Sequence, residues 1–180
     1  MSRLPLLQHE LDNNVDVLTI YEEIKAELGF GIVPNLFKSM AINPGFLKGN
    51  WEKFRATILQ GRLPRTLKEM IGVAISQANH SDYALKVHLH GLSALGISEE
   101  VLRLLVSDFE NCPLPDRQKA IIRFGLTAAT HPHDLTDSDY QRLYDLGLED
   151  AEIFEIIATA NLFTAVNQYT DAINLEIDAL

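Results

Sequence analysis

Three side chains within twenty residues carry groups that do proton chemistry: the carboxylate of Glu69, the hydroxyl of Ser81 and the imidazole of His88. An imidazole titrates near neutral pH, and a neighbouring carboxylate fixes its tautomer, so such a set suits general acid/base work with the hydroxyl orienting a substrate. They lie in one stretch, LPRTLKEMIGVAISQANHSDYALKVHLHGLSAL, from Leu63 to Leu95. This reads as two helices meeting at a corner around Asn79-His80-Ser81. Residues 70–78 are apolar or small almost all round, the composition of a helix covered on every side. On the second helix, Ser81, Ala84, Leu85, His88, Leu92 and Leu95 share one stripe at helical spacing, so His88 points inward. The stretch holds the only charged or ionisable side chains expected to be buried.

Plainer roles compete for each residue. Thr66-x-x-Glu69 has the form of a capping box, in which the glutamate satisfies a backbone N–H. Glu69 also shares a face with Gly72, Val73 and Ser76, small enough for close packing or for a lined pocket. His88 is either a core histidine bonded to a carbonyl or a site group. His88 and His90 lie about 200° apart on a helix and cannot share a metal ion, and His131-Pro132-His133 has no nearby thiol or helical partner, so no metal site is expected. His80, Asp82 and His90 read as solvated or capping residues. Tyr83 reads as a wall residue at the corner, and Cys112, without a CxxC partner, as incidental. The chain has no Gly-rich phosphate loop, no G-x-S-x-G and no H-E-x-x-H.

The elements that must position these groups are helical. Residues 1–14 form an irregular arm, and a helical domain is expected over 15–180. Val17, Ile20, Ile24 and Leu28 recur at helical spacing up to Gly29, further helices open near Pro34 and Pro44, and another starts at Ser98 with Glu99 and Glu100 in its first turn. Asn111-Cys112-Pro113 interrupts; segments from Pro115 and Thr136 follow, and Glu149 begins a long closing helix. No stretch alternates as a strand does. The 180 residues, 47% apolar, suffice for a core. Acidic residues outnumber basic ones 25 to 15, for a net charge of -10, which argues against phosphate and nucleic-acid partners. With one cysteine, no leader-like apolar run at the start and no run long enough to span a bilayer, the expectation is a cytoplasmic protein.

At an offset of 51 residues the chain matches itself without gaps. Leu63-Pro64 falls on Leu114-Pro115, Lys68 on Lys119, Ile71 on Ile122, His80 on His131, Leu92 on Leu143, and Leu95-Gly96 on Leu146-Gly147. A helical unit repeated over about 63–106 and 114–157 is expected. Glu69, Ser81, Ala84 and His88 fall on Ala120, Pro132, Leu135 and Asp139, so the shared scaffold does not demand them.

The runs Pro34-Asn35-Leu36-Phe37, Asn43-Pro44 and Leu63-Pro64…Lys68-Glu69…Ala78-Asn79-x-Ser81-x-Tyr83-Ala84-x-x-x-His88…Leu95-Gly96 resemble the carboxymuconolactone decarboxylase and alkylhydroperoxidase D superfamily, most like its longer, peroxidase-related branch. The resemblance covers the chain from about Ile32 to the last helix. It implies an all-α, alkylhydroperoxidase D-like fold, homotrimers or homohexamers, and a site in a helical corner near a subunit interface. Redox members carry Glu, a Cys-x-x-Cys pair and a His, the thiols reducing peroxide and the other two relaying protons. Glu69 and His88 match; the cysteine positions are Ser81 and Ala84. A serine hydroxyl cannot pass through sulfenic acid to a disulfide, and alanine offers nothing, so thiol peroxidase chemistry by that route is not expected. The reading is a decarboxylase-like, cofactor-free acid/base enzyme acting on a small lactone or carboxylate, with Glu69, His88 and Ser81 as its catalytic residues. Alternatives are a redox-dead binding or assembly module and, more weakly, a peroxidase-related antioxidant protein working through Cys112.

Overall fold

The computed structural model describes residues 1–8 and 15–179. The expected arm over 1–14 is irregular where it is described; residues 9–14 of it lie outside the described residues. The described residues form helices and no strand: α1 (Val15–Leu28), α2 (Asn35–Met40), α3 (Pro44–Phe54), a π-helical turn (Arg55–Leu59), α4 (Arg65–Ala78), α5 (Asp82–Ala94), α6 (Glu99–Ser107), α7 (Asp116–Thr130), α8 (Asp137–Asp145) and α9 (Asp150–Ala172), with short 3-10 turns at Phe109–Asn111 and Pro132–Asp134. The helix starts follow the local chemistry. Asn43 caps α3 through its side chain ahead of Pro44, and Ser98 caps α6. Capping boxes open α8 (Thr136, Asp139) and α9 (Glu149, Glu152).

Two apolar clusters result. The larger joins α4 to α9 around Ile71, Ile75, Leu92, Ile121, Ile122 and Ile156; the smaller joins α1, α2 and α3 through Val17, Ile24, Phe37, Leu47 and Trp51, with Ile173 and Leu175 from the segment after α9. The helix α9 packs on α4, α5 and α7. It can do so because apolar and small residues occur on most of its sides.

The α4–α5 corner is tight. His80 adopts a left-handed conformation (φ 56°), and the Ser81 N–H donates to the Ser76 carbonyl at 2.9 Å while the His80 N–H donates to that of Gln77 at 3.2 Å. This is a Schellman closure with histidine where glycine is usual. The same closure with glycine ends α5 at Gly96 (φ 84°) and α8 at Gly147 (φ 78°).

Several expectations need correcting. The capping box at Thr66 and Glu69 is absent: Pro64 stands at the N-cap of α4 with no side-chain cap bond, and the Glu69 carboxylate points elsewhere. The inward stripe of α5 ends before Leu95, which is 40% exposed. One buried charge lies outside the expected set: Lys68 has no exposed surface, and its Nζ meets the Thr57 and Gln60 carbonyls and the Glu155 carboxylate. Glu155 in turn accepts from the Arg62 and Leu63 N–H groups. The cluster is fully bonded and anchors the π-helical turn to α4 and α9.

Candidate functional site

Glu69 lies one turn inside α4 and His88 midway along α5, both on the faces these helices turn towards each other. The His88 Nδ1 is 2.7 Å from Glu69 Oε2, with both side chains buried. On its other oxygen Glu69 accepts from Arg65 Nε at 3.3 Å. Burial pushes the Glu69 carboxyl up, but the hydrogen bond and charge of His88, then those of Arg65, outweigh it and hold the group below the usual carboxylate range. When His88 is neutral, an ionised Glu69 holds its proton on Nδ1 and leaves Nε2 as the acceptor nitrogen. That Nε2 is buried and has no hydrogen-bond partner.

The imidazole is wedged in place. A Cβ on Gly72 would stand 2.7 Å from its Cε1 and Nε2, so the absent side chain at 72 is what admits the ring. Phe163 of α9 meets it edge-on at 4.4 Å.

Both Glu69 and His88 line a small cavity of about 40 Å³, room for a few waters. It sits where the two apolar clusters meet. From α5 come Tyr83, Ala84 and Val87, and from α9 Phe163 and Val166; Phe54 closes it near the π-helical turn. The remaining wall is the N-terminal region: Leu28, Phe30, Pro34, Leu36 and Phe37. Apart from Glu69, His88, Arg65 and the Tyr83 hydroxyl the wall is apolar.

Two of the three expected catalytic groups therefore converge and the third does not. The Ser81 hydroxyl, buried at the corner, donates to Asp171 of α9 at 2.8 Å and is outside the cavity wall. Tyr83 is a wall residue, as its position suggested. Its hydroxyl donates to Asp178 at 2.7 Å and accepts from the Leu36 N–H at 3.2 Å, and burial followed by the charge of Asp178 pushes its pKa well above the ordinary value. Cys112 is buried in the larger cluster, its thiol pushed up by burial. His80 is exposed, and His90 packs edge-on against Phe30 at 5.4 Å. Sequence reasoning missed Arg65 and the Phe30 cover; Arg65 stands four residues before Glu69, one helical turn, and that spacing was the available signal.

An all-helical chain with a buried carboxylate–imidazole pair at an aromatic cavity is the class of protein this geometry defines. Residues 44–108 match the Carboxymuconolactone decarboxylase family. Among curated proteins, an alkyl hydroperoxide reductase of Mycobacterium tuberculosis is 27% identical over 89 residues, 49% of this chain but only 25% of that protein's length. Solved structures share the fold along almost the whole chain. A peroxidase-related protein with an alkylhydroperoxidase D core from Ralstonia eutropha has a TM-score of 0.89 at 24% identity, covering 99% of this chain and 93% of its own. One from Silicibacter sp. has 0.88 at 23%, covering 99% and 92%. A debrominase in complex with 2,3,4-tribromopyrrole has 0.83 at 19%, covering 99% and 95%. The chain is thus similar to the Carboxymuconolactone decarboxylase family over residues 44–108, and along almost its whole length it shares the fold of the alkylhydroperoxidase D-core structures. No helix among the described residues is long and apolar enough to cross a membrane.

Proposed function

We propose that the protein is a cofactor-free acid/base enzyme of the decarboxylase-like kind, acting on a small lactone or carboxylate, with Glu69 and His88 as its catalytic pair. The observation that carries this reading is the buried 2.7 Å contact between Glu69 and His88 Nδ1 beside a His88 Nε2 without a partner. In such an arrangement Nε2 takes a proton from a bound substrate, the Glu69 carboxylate stabilises the imidazolium, and the proton returns to the product. The apolar wall strengthens these electrostatic interactions by excluding water. Ser81, tied to Asp171, has no part in this scheme.

Thiol chemistry is disfavoured by the same geometry. The positions that the family resemblance assigns to thiols hold Ser81 and Ala84, and the Cys112 thiol is buried away from the cavity. The test is a panel of small lactones and enolisable carboxylic acids. Glu69→Gln and His88→Ala are expected to lower turnover by about 10²- to 10⁴-fold. Unchanged turnover in either variant, or no turnover of any panel member by the wild type, overturns the reading and leaves the pair a structural one.

A further inference from the structure

The cavity holds a few waters and no organic molecule of even five ring atoms, so any ligand enters only if part of the wall moves. Three sides of that wall belong to α4, α5 and α9, which pack on one another in the larger core. The rest comes from Leu28 at the end of α1, Leu36 and Phe37 of α2, Phe54 at the end of α3, and Phe30 and Pro34 of the connection between α1 and α2, which is the one part of the wall that is not helical. It contains Gly29 (φ 80°) and Gly31 (φ 69°), both in the left-handed region, on either side of Phe30. Phe30 is half-buried over the cavity, and neither glycine would meet a neighbour within 4 Å if it carried a Cβ. The two glycines thus bend the segment by conformation with nothing packed on them, while Val33 at its far end is buried in the smaller cluster.

Its two ends are fastened by the cavity-wall side chains Tyr83 and Arg65, and by Asp178. At the α2 end, the Tyr83 hydroxyl accepts from the Leu36 N–H at 3.2 Å, and Asp178 accepts from the Asn35 N–H at 2.7 Å. At the α1 end, Arg65 Nη1 donates to the Leu28 carbonyl at 3.1 Å and its guanidinium lies 6.0 Å from the centre of the Phe30 ring. The same guanidinium donates to Glu69 through Nε.

We infer that the Gly29–Ile32 stretch, anchored at the buried Val33, is the door to the cavity and that Arg65 is a positioning residue joining that door to Glu69. The inference takes from the proposed function only the location of the site. When the door swings out, Arg65 is drawn between the Leu28 carbonyl and Glu69, so admission of a ligand and the charge environment of Glu69 change together. Lysine at 65 would keep a cation near Glu69 but lacks the forked geometry that holds both partners at once.

Diethyl pyrocarbonate, which carbethoxylates an unprotonated imidazole nitrogen, reads the door directly through the unpartnered His88 Nε2, independently of any catalytic activity. His80 and His131, both exposed, serve as internal references, and the buried Cys112, titrated with an aromatic disulfide reagent, reports global opening. In Arg65→Lys the rate at His88 is expected to rise several-fold relative to His80 and His131, with Cys112 unchanged. Gly31→Ala, strained at its positive φ, is expected to raise it likewise. The coupling to Glu69 is read by carboxyl-carbon NMR: the midpoint of Glu69 moves up in pH in Arg65→Met and stays near the wild-type value in Arg65→Lys. A His88 rate unchanged in both door variants, a parallel rise at Cys112, or an unmoved Glu69 midpoint in Arg65→Met overturns the inference. A door that passes these tests while the substrate panel stays silent would separate this inference from the catalytic reading.

Discussion

The α4–α5 and α7–α8 helix pairs are framed alike and equipped differently, and they turn their corners differently: His80 is left-handed (φ 56°), whereas His131 (φ -141°) is not and leads into a 3-10 turn. Both first helices follow a proline in the same extended conformation, Pro64 (φ -57°, ψ 140°) and Pro115 (φ -56°, ψ 148°). Lys68 reaches back to the Gln60 carbonyl at 2.6 Å, and Lys119, 51 positions on, reaches back to that of Glu110 at 2.7 Å. Leu92 and Leu143 are both buried, and both second helices end in the same glycine closure. The corners part company where chemistry would be done. Glu69, Gly72 and His88 fall on Ala120, Arg123 and Asp139. Arg123 leaves no slot for a ring, and Asp139 is consumed by the capping box of α8. The 3-10 turn after His131 delays α8 until Asp137, so it has 9 residues where α5 has 13. Ala120, Leu135 and Asp139 line an open cleft, whereas their counterparts Glu69, Ala84 and His88 lie beneath Phe30 and Phe37. The scaffold supplies a helical corner; a carboxylate–imidazole pair is found only at the corner that has a cover.

The comparison is broken most forcefully at Glu69. Replacing it by alanine strips His88 and Arg65 of a shared buried partner and is expected to cost about 3 kcal/mol in chemical denaturation, whereas Asp139→Ala loses only an exposed cap and falls well short of that. Gly72→Ala comes next, at about 1–3 kcal/mol, because the new methyl meets the His88 ring; Arg123→Ala at the matching position stays within about 0.5 kcal/mol. In the double variant Gly72→Ala/His88→Ala the clash has no partner, so the two losses must fail to add. Additivity there would mean that the glycine serves the helix and not the ring.

The shared scaffold is sharpened by Gly96→Ala and Gly147→Ala. Each forces a side chain into a left-handed closure and is expected to cost about 1–2 kcal/mol, nearly equal in thermal melts; a large inequality would show that the two closures are not equivalent. The smallest effect is a pH signature. Glu69 is held below its unfolded pKa of about 4.3, so its contribution is complete above that pH and is lost as pH falls through the lower folded value. The deficit of Glu69→Gln relative to the wild type therefore narrows on acidification below about pH 4. Asp139, lowered by its bonds to Thr136, follows the same sign.

How far the sequence could be read depended on the range of the interaction. Helix starts at Pro44, Ser98 and Glu149 were legible because caps and prolines act within one turn. Glu69 and His88 were legible because their partner lies 19 residues away across a single corner. The partner of Ser81 is Asp171, 90 residues on, and nothing local to Ser81 announces it. The capping-box pattern at Thr66 misled because Pro64 already starts the helix and the Glu69 carboxylate gains more from His88 and Arg65. Lys68 is legible as a repeated residue but not as a buried one, since its burial depends on Glu155 from α9. The cover was the least legible part, because Phe30 lies in a connection with no periodicity.

Trp51 is the only tryptophan of the chain. Its ring stacks on Phe54 at 6.2 Å and meets Phe37 edge-on at 5.6 Å, and both phenylalanines are cavity walls. The indole also donates to Glu23 on α1 at 2.9 Å. Displacement of either wall alters the surroundings of a single fluorophore, so the unlabelled protein carries an optical gauge of whether its cavity is filled.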